Sequence, residues 1–140
     1  MANLEEAILL AVQSHRGQKD KSGAPYILHP LRLMLQQKDE VTMAVAILHD
    51  VVEDTPVTLE QLREAGFAEE IVTAVACLTH DPQDTYEDYV AKIKTNSVAR
   101  AVKLSDLEDN MRLQRMPSLT GKDWARLQRY HRAWQDLRLP

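Results

Sequence analysis

Cysteine is almost absent from this chain of 140 residues: Cys77 stands alone. A single thiol excludes an internal disulfide and fits a reducing cytosol, and its place on an apolar helix reads as core. Glycine and proline are also scarce, at 4 and 6 residues. With 44% hydrophobic residues, that scarcity fits a mainly helical domain. No Gly-rich loop of the Walker or dinucleotide-binding kind is present. Long apolar runs are missing too. The longest, around Ala7 to Val12, is about seven residues, against the roughly 20 needed to span a bilayer. No basic start leads into an apolar stretch with a small-residue cleavage site, so a cytoplasmic protein is expected. Excess positive charge is lacking, the formal net charge being −4. That argues against sequence-independent nucleic-acid binding, which leans on basic patches. It leaves room for a small phosphorylated substrate held by a metal and a few local cations. Internal repeats, low-complexity segments and domain-scale linkers are all missing, so residues 1–140 read as one domain with one core.

What is present centres on Ala46-Ile47-Leu48-His49-Asp50-Val51-Val52-Glu53-Asp54-Thr55, read as one helix from about Val41. Residues three and four apart share a helix face, which puts His49 near Glu53, and Asp50 near Glu53 and Asp54. Ala44, Leu48, Val51 and Val52 form an apolar face pointing into a core. Three carboxylates on one stripe repel one another unless something positive sits among them, and a divalent metal is the economical choice. Two further ligand candidates lie elsewhere: His29 in Pro25-Tyr26-Ile27-Leu28-His29-Pro30, and Asp106 in Val102-Lys103-Leu104-Ser105-Asp106. This mixed nitrogen and oxygen set suits manganese, iron, zinc or magnesium, in that order.

His29, His49-Asp50 and Asp106, in that order, resemble the HD superfamily of metal-dependent phosphohydrolases. Ser14-His15-Arg16-Gly17-Gln18, the stretch from Ser22 to Pro30, the stretch from Leu48 to Thr55, and Lys103 to Asp106 followed by Asn110-Met111-Arg112 narrow the match. They resemble the hydrolase domain of RelA/SpoT-type alarmone enzymes in its stand-alone small form, from about Ala7 to Leu113. The resemblance implies an all-α, single-domain HD-type bundle of about seven to eight helices. It implies Mn²⁺, or another divalent metal, held by His29, His49, Asp50 and Asp106. Glu53 and Asp54 would take or orient the proton of a metal-activated water. Lys21, Ser22, Tyr26, Lys103 and Asn110 would border a nucleotide, (p)ppGpp, which would lose pyrophosphate from its 3′ position to leave GDP or GTP. Tyr26 as simple core and Lys103 as a carboxylate-paired lysine stay open. So do other substrates, (p)ppApp or NADPH, a non-catalytic nucleotide-binding module, and a helical interaction domain with a vestigial site.

The chain departs from the family pattern twice. Asp20 stands where relatives usually carry a basic residue, which removes a cation or stacking partner. Leu107-Glu108-Asp109 replaces basic or aromatic character, predicting a more acidic rim. His80 has no assigned role.

The helical pattern predicts further detail. Asn3 caps a first helix to about Gln13 or His15, with Leu4, Ile8, Leu9 and Val12 inward. Arg16 to Gly23 is a loop. Pro30 stands at the start of a helix from Leu31 to about Gln37, with His29 just before it. Thr58 to Gln61 is a capping box opening a helix that ends at Gly66. Helices follow over 69–79, 85–94 and 97–114, the last capped by Ser97. The final helix, 123–137, carries Trp124, Leu127, Tyr130, His131 and Trp134 as core or as a dimer surface, so a homo-oligomer stays open.

Overall fold

The computed structural model describes residues 2–139, and among them nine α-helices are arranged around a buried central one. Helix α1 (Leu4–His15) begins where expected, with the Asn3 side chain accepting from the Glu6 N–H at 2.9 Å. Its inward stripe differs from the expected one. Ala7, Ala11 and His15 are buried, while Leu9 and Val12 are 57% and 42% exposed. Residues 7, 11 and 15 are successive i, i+4 positions on one face, and Leu9 lies on the opposite side of the helix. Two alanines on that face let α1 pack closely on α3.

Helix α2 (Leu28–Leu35) starts earlier than predicted, which places His29 and Pro30 in its first turn rather than before it. Proline is accommodated there because first-turn N–H groups have no intrahelical acceptor to lose. Helix α3 (Glu40–Leu48), capped by Asp39, forms the centre. Val45, Ala46, Ile47 and Leu48 are wholly buried against α1, α2, α6 and α8. Burying each of the larger side chains contributes roughly 1.5–3 kcal/mol.

The predicted continuous helix through Thr55 is broken at His49–Asp50, and α4 (Val51–Asp54) restarts after it. The His49 ring supplies the reason. Its Nδ1 donates to the Ala46 carbonyl at 2.7 Å, competing for the acceptor that a continuous helix would offer to the Asp50 N–H. Asp50 takes φ −102° and ψ 0°, in the bridge region between helix and extended backbone. This division accounts for one helix beyond the expected count.

Helices α5 (Leu59–Glu64), α6 (Glu69–Leu78) and α7 (Tyr86–Lys94) follow the predicted boundaries closely. Thr58 and Gln61 form the expected capping box, and Gly66 turns the chain at φ 96°, a conformation that favours glycine. Helix α8 (Ser97–Asn110) is capped by Asn96, not Ser97: the Asn96 side chain accepts from the Ala99 N–H at 2.9 Å. It stops at Asn110, and a 3₁₀ turn (Leu113–Arg115) leads toward α9 (Gly121–Arg138). Only Ala133 and Leu137 of α9 are fully buried, and Trp124 is 52% exposed, so the predicted aromatic stripe joins the core only in part. Among the described residues, no helix is long and apolar enough to cross a membrane.

Candidate metal centre

The break after Leu48 turns His49 and Asp50 toward the first turn of α2 and the middle of α8. His29, His49 and Asp50 each offer a ligand atom, all within 4.8 Å of one another. Asp106 completes the group, its Oδ1 lying 2.8 Å from His29 Nε2 and 3.5 Å from His49 Nε2. The four residues expected as ligands thus come together from α2, the α3–α4 break and α8. His49 clusters with His29 and Asp50, rather than with Glu53 as a single straight helix would have it.

Both imidazoles have their outer nitrogen occupied. His49 Nδ1 is used by the Ala46 carbonyl, and His29 Nδ1 lies 2.6 Å from Asp109 Oδ2. This leaves each Nε2 facing inward. His49 Nε2 is buried without a hydrogen-bond partner, although Asp50 Oδ2 lies 3.0 Å away. With Nδ1–H committed to the Ala46 carbonyl, Nε2 faces carboxylate oxygens, an arrangement that needs either a proton or a metal cation between them. The donor set therefore fits a divalent cation: two neutral imidazoles, two carboxylates, and outer partners that fix their tautomers.

Electrostatics in the absence of a cation follow from the same packing. Burial disfavours the imidazolium at both histidines, but the Asp106 and Asp109 contacts at His29 raise its pKa. Asp50 and Asp106 raise that of His49 well above the usual value. Burial works against ionisation of Asp106 as well, yet Lys103 and the two histidines hold its carboxyl well below the usual range. Lys103 Nζ sits 2.9 Å from Asp106 Oδ2 and over the Tyr89 ring, its side chain only 13% exposed. Asn110 Nδ2 donates to Asp106 Oδ1 at 3.2 Å. Tyr26 donates its hydroxyl to Asp50 Oδ2, and burial together with the Asp50 carboxylate keeps that phenol protonated. Lys103, Asn110 and Tyr26 thus each touch a candidate metal ligand.

Glu53 and Asp54 stand one turn beyond Asp50, with which they form a second acidic group. The Glu53 carboxylate accepts from the His80 N–H at 2.7 Å, so the start of the α6–α7 connection holds it in place. Burial, followed by the Asp50 and Glu53 charges, raises the pKa of Asp54. Tyr26, the four candidate ligands, Glu53, Asp54, Lys103 and Asn110 open into a cavity of about 460 Å³. Lys21 and Ser22 line its mouth with Lys19, Arg112, Arg115 and Arg126.

Asp20 is turned to a local purpose. Its Oδ1 accepts from the Ser22 N–H, the Ser22 hydroxyl and the Ala24 N–H at 2.7–3.0 Å, organising the loop whose Lys21 and Ser22 border the cavity. The acidic rim expected from Leu107-Glu108-Asp109 is not formed. Leu107 and Asp109 are 0% and 1% exposed, and only Glu108 faces solvent. Sequence reasoning missed Asp109 for this reason. Its i, i+3 relation to Asp106 is the one sequence signal that could have found it, whereas its partner Arg32 is 77 residues away. Burial opposes the Asp109 charge, but the His29, Arg32 and Arg115 contacts hold its carboxyl well below the usual range.

Residues 7–137 match the family described as HD domain. A GTP pyrophosphokinase rsh of Brucella melitensis is 42% identical over 82 residues, covering 56% of this chain and 11% of that protein. A guanosine-3′,5′-bis(diphosphate) 3′-pyrophosphohydrolase of Aquifex aeolicus is 31% identical over 121 residues, covering 78% of this chain and 17% of that protein. The chain therefore spans less than a fifth of the length of either curated relative. A solved structure, described as a metazoan ortholog of SpoT that hydrolyzes ppGpp, superposes with a TM-score of 0.77 at 28% identity. It covers 99% of this chain and 86% of its own.

Proposed function

This chain belongs to the HD domain family, and from that premise we propose that it hydrolyses the 3′-pyrophosphate of guanosine alarmones. The products would be pyrophosphate and GDP or GTP. The observation that carries the metal-dependent part of this reading is the buried, partnerless His49 Nε2 beside His29 Nε2 and the Asp50 and Asp106 carboxylates. The names of the Aquifex relative and of the structural neighbour support the substrate. A cavity of about 460 Å³, with Lys19, Lys21 and Arg112 in its lining beside the candidate metal ligands, is of a size suited to a nucleotide.

In this reading His29, His49, Asp50 and Asp106 hold one divalent cation, manganese in our assignment. The bound ion supplies Lewis acidity toward a phosphoryl oxygen and acidifies water at the site. Glu53, anchored by the His80 N–H, accepts the proton of the attacking water, and Asp54 orients that water from the next position on α4. Lys103 and Asn110 fix the Asp106 carboxylate from two sides, and Tyr26 does the same for Asp50. Lys21 and Ser22, on the loop organised by Asp20, border the nucleotide, while Lys19 and Arg112 balance its remaining phosphate charge. The half-buried lone thiol, Cys77, suits a cytoplasmic setting for this chemistry.

The test is pyrophosphate and phosphate release with manganese over ppGpp, pppGpp, ppApp, GTP, ATP and NADPH, with Asp106→Ala as control. Pyrophosphate from ppGpp or pppGpp, lost in the variant, is the expected result. Phosphate from NADPH or a triphosphate would overturn the substrate and keep the metal site. Inactivity of the metal-loaded protein on the whole panel would overturn the enzyme reading. His49→Ala should also lower manganese affinity at least 100-fold, and unchanged affinity would remove the proposed centre.

A further inference from the structure

Asp109 lies outside the expected ligand set and outside the cavity lining, yet among the described residues it is the most elaborately held carboxylate. Its side chain is fully buried. Arg32 clasps it with two bonds, Nε to Oδ1 at 2.9 Å and Nη2 to Oδ2 at 3.0 Å. Arg115 Nη2 reaches Oδ2 at 3.3 Å and also donates to the Asp109 carbonyl. The remaining contact is His29 Nδ1, 2.6 Å from Oδ2.

A carboxylate with a bidentate arginine and a second guanidinium on it is an acceptor with no proton to give. The short contact to His29 is therefore Nδ1–H donating to Asp109. In the metal-free site Nε2 shares a proton with Asp106 Oδ1, 2.8 Å away, and a cation that displaces this proton meets the Nε2 lone pair. The neighbouring ligand is oriented differently: His49 Nδ1 donates to a backbone carbonyl, which no side-chain substitution removes. His29 alone depends on a replaceable side chain for its tautomer and ring angle.

We infer that Asp109 is a positioning residue for the metal centre, holding His29 as the Nδ1–H tautomer with Nε2 directed at the cation. The inference rests on the metal-centre reading of the proposed function. Arg32 and Arg115 complete the arrangement by keeping Asp109 charged and its carboxylate plane fixed. Arg32 comes from α2, the helix that carries His29, so histidine and clamp move as one unit against α8. A purely structural role, an ion cluster tying α2 to α8, would make Asp109 matter for stability alone.

Two measurements separate these roles. In Asp109→Asn, manganese affinity measured by calorimetry should fall 10- to 100-fold, the range typical of losing an outer partner of a ligating histidine. Circular dichroism would establish that the variant is folded. Equal affinity in folded variant and wild type overturns the inference and leaves the metal centre standing. A wild-type protein that binds no divalent ion overturns both. The second measurement needs no variant. In the Zn²⁺-loaded wild type, long-range ¹H–¹⁵N correlation of the histidine rings should show His29 protonated at Nδ1 and bound to metal through Nε2. A proton on Nε2, or metal on Nδ1, overturns the inference even if Asp109→Asn fails to fold.

Discussion

Lys103→Met separates the stability of the fold from the affinity of the metal site. Lys103 Nζ lies 2.9 Å from Asp106 Oδ2 with only 13% of its side chain exposed, and Asp106 is itself 8% exposed. Removing one partner of a buried pair leaves the other charge uncompensated and typically costs 3–5 kcal/mol. His29 and His49 also contact Asp106, so about 3 kcal/mol is the appropriate figure for the metal-free protein. With roughly 2.1 cal/mol/K of unfolding entropy per residue, a chain of 140 residues should lose about 10 °C in Tm. Methionine keeps most of the apolar stem, so the loss reports charge rather than packing. A bound divalent cation takes over the compensation that lysine supplied, and removing a nearby positive charge favours its binding. After solvent screening this gain is roughly 1–2 kcal/mol, a five- to thirty-fold tighter Kd. The assays are thermal melts with chelator and with saturating manganese, and calorimetric titration of the metal. Saturating metal should therefore restore roughly 3–7 °C of the lost Tm. A metal-free Tm within about 2 °C of wild type, or a weaker metal Kd, would refute the reasoning.

Three further outcomes follow. Glu53→Gln keeps an acceptor for the His80 N–H but removes the proposed base. It should lower kcat on ppGpp roughly 10²–10⁴-fold with metal Kd unchanged, and a kcat within threefold of wild type would dismiss Glu53 as base. The raised pKa values of His29 and His49 set the pH response of the metal-free protein. Groups raised in the folded state contribute stability that is fully present below their unfolded value of 6.5 and is lost as pH rises through the folded value. Chelated protein should therefore melt higher at pH 6 than at pH 8.5. Metal binding near pH 7 should release protons, up to two per ion, seen as a buffer-dependent calorimetric heat. A flat melting profile together with no proton release would contradict the described packing around the two imidazoles.

The elements legible in the sequence were those governed by short-range rules. The Asn3 and Thr58 caps, the turn at Gly66 and the helices from α5 to α7 depend on residues within one or two turns of each other. The candidate ligand set was legible because His29, His49-Asp50 and Asp106 resemble a known pattern in order, and the fold brings these side chains near one another. The inward face of α1 was misread because apolar size suggested Leu9 and Val12, while close packing selected the small Ala7 and Ala11. The Asn96 cap was missed in favour of the adjacent Ser97, two good caps one residue apart.

By itself the sequence determined an all-helical domain, some of its caps, and the identity of the groups available to hold a cation. Tertiary structure decided how those groups are oriented. The break at His49–Asp50, the reach of Lys103 to Asp106, and the burial of Asp109 between Arg32, Arg115 and His29 all arise where α2, α3 and α8 meet. A carboxylate reads the same in sequence whether it faces water or sits between two arginines. Only packing brings residues 77 positions apart into contact and removes the water that would otherwise screen them.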